Sequence, residues 1–157
     1  MPLADVNSAY TDLVETVFST PIAAKAWLAT AAVLLTVVQV LTASRLWGKL
    51  KRVVPLSFDT AKQVHRWSGR LAVLVSLPVV LHCVTILGFK TTDTRVAIHS
   101  LVGSFVYGVL VAKLLVIRWK GYPHWVLPAL GGSLAVVLTT LWLTSSLWYF
   151  TNVRFGF

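Results

Sequence analysis

Four apolar runs dominate the 157-residue chain, approximately Ala24–Ala43, Val64–Gly88, Val96–Ile117 and Trp125–Phe150. About 20 consecutive apolar residues suffice for a helix to cross a bilayer. Inside the hydrocarbon every backbone N–H and C=O must be satisfied within the segment, so runs of this length can only be helices. The expected fold is therefore all-α: a polytopic membrane protein with a four-transmembrane-helix bundle. Composition agrees, with 57% hydrophobic and only 12% charged residues, against roughly 25% charged in a soluble domain.

The remaining chain divides simply. In residues 1–20, Val6, Tyr10, Leu13, Val14, Val17 and Phe18 recur at helical spacing opposite Asp5, Asp12, Glu15 and Thr16. That pattern predicts an amphipathic outer-surface helix ended by Pro21. It lacks the basic start and long apolar centre of a signal peptide. Residues 21–157 form the membrane domain. Its short outer turn, Gly88–Thr94, makes the second and third spans antiparallel neighbours, and Pro78 should kink the second.

The net charge of +9 is a topology signal. Arg45, Lys49, Lys51, Arg52, Lys62, Arg66 and Arg70 gather around the first inner loop, and Lys113, Arg118 and Lys120 around the second. The other side holds Lys25, Lys90, Arg95 and Arg154 with the acids Asp5, Asp12, Glu15 and Asp93. The positive-inside rule then puts both termini outside a plasma membrane and both basic loops in the cytoplasm. The partner of this charge is the anionic lipid bilayer, with no nucleic acid expected. The single cysteine, Cys83, cannot form an internal disulfide, and no CxxCH is present for covalent haem attachment.

Function rests on the histidines. Ionisable residues inside a membrane are costly and mark functional sites. His82 lies about nine residues before the middle of the outer turn and His99 about seven after it, a depth difference of roughly 3 Å. Two imidazoles at one level on neighbouring helices can hold one iron between them. His65 and His124, both near the inner ends, make a second candidate pair. His65 and His82 are about 26 Å apart along an ideal helix and about 100° apart around it, so His82 is assigned to face the third span and His65 the fourth. Gly69 and Gly103 each follow a histidine by four residues and would give a flat ligand clearance. Arg66 and Arg70 are candidate partners for the acidic groups of an inner ligand, Lys90 and Arg95 for those of an outer one. Lys113 lies about 40° off the face of His99 and is a candidate contact for a propionate or a quinone headgroup. Gln39, alone in the first span, reads as a helix–helix hydrogen bond. The histidines do not have the compact spacing of a zinc motif.

Paired histidines at two levels, His65, His82, His99 and His124, resemble the transmembrane b-type haem proteins of the cytochrome b561 and ferric-reductase-like group. The resemblance covers residues 62–150. It implies non-covalent haem b, one or two per chain, ligated by these histidines, and electron transfer across or within the membrane between a quinone/quinol pool and a redox partner. Four spans rather than six, with no flavin or nicotinamide domain, imply an electron-transfer subunit working with other membrane or outer-side redox subunits. Two other readings fit the sequence: a haem-free structural subunit of a larger membrane complex, and a small transporter or proton channel.

Overall fold

A computed structural model describes residues 8, 11, 12, 16, 18, 20–119 and 121–153. Most of the expected N-terminal amphipathic helix, and the tail with Arg154, fall outside the described residues. Four helices are long and apolar enough to span a membrane: α1 (Pro21–Leu46), α2 (Phe58–Leu87), α3 (Thr94–Arg118) and α4 (Val126–Asn152). The described residues contain no strand. This is a multi-pass, all-α membrane protein.

Local chemistry sets the helix starts. Thr20 caps α1 by accepting from the Ala23 amide at 3.1 Å, with Pro21 in the first turn, where its missing N–H costs nothing. Ser57 caps α2 through the Thr60 amide at 3.1 Å, and Asp93 caps α3 through the Val96 amide at 2.9 Å. The second span therefore begins near Phe58, about two turns before the apolar run. Ser57 starts a helix where the sequence suggested only a loop. Helix α2 continues through Pro78 to His82, then widens into a π-helical turn at Cys83–Leu87. Helix α4 has the same feature at Leu143–Leu147. Such turns concentrate at functional sites, and both lie toward the Gly88–Thr94 end of the bundle, termed outer after the sequence expectation.

Helix α1 is the centre of the bundle. It packs along α2 on one side and α4 on the other, and α3 packs on α4. Its contacts are made by small residues: Ala23, Ala24, Ala26, Ala32, Thr36 and Thr42 on α1, with Ala61 and Ser68 on α2, are all buried. Small side chains let helix backbones approach closely where no hydrophobic drive exists between apolar surfaces. The outward faces carry large apolar residues, Leu74 60% exposed and Val136 67%, which is a lipid-facing surface and would be untenable in water.

Helices α2 and α3 are adjacent in sequence yet make almost no close backbone approach. The space between them, closed behind by α1 and α4, forms two cavities stacked along the bundle.

Candidate functional site

Helix periodicity aims one stripe of α2 into both cavities. His65, Gly69, Ala72, Val73 and Ser76 line the inner one, and Ser76, Val79, Val80, Cys83, Val84 and Leu87 the outer. Helix α3 answers with Arg95, His99, Gly103 and Tyr107 on the outer cavity, then Tyr107, Leu110 and Lys113 on the inner. Ser76 and Tyr107 border both cavities, and their hydroxyls hydrogen-bond across the gap at 2.9 Å. The inner cavity measures about 940 Å³ and the outer about 550 Å³, both within the roughly 300–1,000 Å³ span of small-molecule and cofactor sites.

Two of the histidines are held in the same way. The Nδ1 of His65 lies 2.9 Å from the Thr42 hydroxyl on α1. The Nδ1 of His99 lies 2.9 Å from the Thr144 hydroxyl on α4. Each threonine has one hydroxyl proton and already gives it to its own helix: Thr42 to Val38 O at 2.6 Å, Thr144 to Thr140 O at 2.8 Å. The threonine oxygen must therefore accept, the imidazole must donate from Nδ1, and Nε2 keeps its lone pair. That is the tautomer a metal-ligating histidine needs, fixed by an outer partner as ligating histidines usually are.

The inner site is built on Gln39. Its Nε2 donates to His65 O and, at 2.6 Å, to Ser68 Oγ, so the expected helix–helix bond fastens the backbone of a candidate ligand. Gly69 permits this. A Cβ there would lie 3.3 Å from the Gln39 amide, so Gly69 accommodates Gln39 while also bordering the cavity. His124 borders the same cavity as His65, from the exposed turn that precedes α4. Lys113 points at α4, with Nζ 3.9 Å from where a Gly131 Cβ would stand. Arg66 and Arg70 are absent from this wall. Both are exposed, with Arg70 stacked 4.9 Å from the Trp67 ring, the arrangement of side chains reaching for the interface. Lys49 and Lys113 are the inner cavity's cations instead.

At the outer site the π-helical turn of α4 supplies the anchors. The Trp148 amide is spent on Ser145 O, and Arg95 Nη1 reaches Thr144 O at 2.6 Å. Thr144 thus holds Arg95 by its carbonyl and His99 by its hydroxyl. Arg95 also lies 4.4 Å from the Trp148 ring and 3.9 Å from Asp93. Lys25, Lys90 and Arg95 border this cavity. Gly103 does too, but a Cβ there would meet only Leu141 at an ordinary 3.6 Å, so no tight clearance depends on it.

His82 is placed differently from the sequence expectation. It is only 3% exposed, yet it is not part of the outer cavity wall, although Val79, Val80, Cys83 and Val84 around it are. At 100° per residue His82 points roughly 130° away from the mean direction of those four. The stripe facing α3 is that of His65. The structure therefore gathers His65 and His124 at one cavity, sets His99 at the other, and separates His82 from His99. Among the described residues there is no cluster of three or more His, Cys, Asp or Glu.

A family model described as "Family of unknown function (DUF6529)" matches residues 4–157. The chain belongs to this family. No curated protein and no solved structure matches this DUF6529 chain. Thr42, Thr144, Lys25 and Lys49 are the site residues that sequence reasoning passed over. A membrane-embedded threonine usually bonds its own helix, and only the tertiary arrangement reveals a second partner.

Proposed function

We propose that this protein is a b-type cytochrome subunit of the plasma membrane, resembling the cytochrome b561 and ferric-reductase-like group, that relays electrons between a quinone/quinol pool and a redox partner. The observation that carries the reading is the pair of stacked cavities, each bordered by a histidine whose Nδ1 is committed to a threonine. The fit is better at the inner cavity. His65 and His124 supply two nitrogen donors, Gly69, Gly131 and Gly132 keep the walls low, and Lys49 and Lys113 offer charge for propionates. The outer cavity offers His99 with Lys25, Lys90 and Arg95.

Haem bound there would supply one-electron exchange between ferric and ferrous iron. The protein's part is positional. Thr42 and Thr144 set the imidazole tautomers, Gln39 fixes the α2 backbone at His65, and valine and leucine side chains give the space between α2 and α3 a largely apolar wall. Lys113 on the inner wall is also suited to a quinone oxygen.

A pyridine haemochrome assay on the purified, haemin-supplied protein tests this. The expected result is b-type haem at one or two per chain, with one equivalent lost in His65→Ala and in His124→Ala. Protein with no reduced b-type absorption band would sink the proposal and favour a haem-free subunit of a larger complex.

A further inference from the structure

Resting on the haem reading above, we infer that the outer cavity offers a single histidine ligand, His99, and leaves the face toward α2 open to a small neutral ligand such as carbon monoxide. Three observations combine. The α2 wall of this cavity is Ser76, Val79, Val80, Cys83, Val84 and Leu87, apolar except for one thiol and the Ser76 hydroxyl, which is bonded to Tyr107. His82 is turned about 130° from that wall and is buried. Of the site's other polar side chains, Arg95 is held by Thr144 O and Asp93, Ser76 and Tyr107 bond each other, and Lys25, Lys90 and Tyr149 border the cavity.

The inner cavity has the opposite character. His65 comes from α2 and His124 from the turn before α4, so the space is bordered by nitrogen donors from two segments. The two sites are therefore unequal by construction. The inner one offers an iron two histidines and suits electron relay, whereas the outer one offers a single histidine and can bind a ligand. The apolar valine wall suits an uncharged diatomic molecule, which needs no hydrogen-bond donor to enter a dry pocket.

The test uses the full-length protein in detergent or nanodiscs, reduced and then exposed to carbon monoxide. Expected is a carbon monoxide difference spectrum from about half of the haem, and a high-spin ferric signal of matching amount in electron paramagnetic resonance. Both should vanish in His99→Ala and persist in His82→Ala, while His65→Ala should leave the carbon monoxide signal intact. Two haems that are low-spin and unreactive to carbon monoxide would overturn this inference and leave the haem reading standing. Loss of the same haem in His82→Ala as in His99→Ala would do likewise. A single haem untouched by His99→Ala would remove the outer site, and a protein with no haem would remove both readings together.

Discussion

At the scale of single residues, the informative feature is that Thr42 and Thr144 each perform two bonds with one oxygen. Each back-bonds its own helix and accepts from an imidazole on a neighbouring one. Partners of this kind are worth about 10–100-fold in metal affinity. Thr144→Val keeps the volume and removes the acceptor, freeing the His99 ring to rotate and change tautomer. It should lower haem retention at the outer site by about 10–100-fold with the inner haem unchanged, whereas Thr144→Ser should restore it. Haem titration of the apoprotein would measure this, and equal retention in the valine and serine variants would deny Thr144 the role. The histidines themselves were legible in the sequence because an ionisable group in an apolar run is conspicuous. Their partners were not, because a threonine in a Leu/Val/Thr-rich span carries no mark of which neighbour it meets.

At the scale of helices, the α1–α2 seam is the tightest part of the fold, and two of its features can be compared. The Gln39 bonds to His65 O and Ser68 Oγ are interhelical polar contacts, which average only about 0.6 kcal/mol in membrane proteins. Close packing at Gly69 matters more. A Cβ 3.3 Å from the Gln39 amide must displace a side chain whose Nε2 is held by two acceptors, and overpacking of this kind costs about 1–3 kcal/mol. Gly69→Ala should therefore destabilise the protein more than Gln39→Leu, as read by thermal unfolding in detergent. The reverse order would mean that the bond, not the fit, holds the seam. Sequence located the spans to within two turns, since apolar length is set by the bilayer. It missed which face of α2 meets α3. In water a helix shows its buried side by its apolar stripe, but here the lipid-facing and packed sides are both apolar, as exposed Leu74 and cavity-lining Val73 illustrate. The 100° between His65 and His82 was readable; the choice between them was not.

At the scale of the whole molecule, the gap between α2 and α3 joins the two ends of the bundle, with Ser76 and Tyr107 closing it midway. What the gap can do depends on which end faces the cytoplasm. Ten basic residues lie in or beside the Leu46–Phe58 and Arg118–Val126 ends, and the opposite end has only Lys25, Lys90, Arg95 and Arg154. Lysine and arginine close to span ends set orientation, and each contributes about 1 kcal/mol of attraction to an anionic inner leaflet, so the asymmetry favours the His65–His124 cavity inside. In a Cys83→Ser background, Val53→Cys and Thr91→Cys place single thiols at exposed positions on the two connecting loops. A membrane-impermeant maleimide should label Thr91→Cys in intact cells and Val53→Cys only after permeabilisation. The opposite pattern would place the cavity bordered by His65 and His124 on the outside and the His99 cavity on the cytoplasmic side.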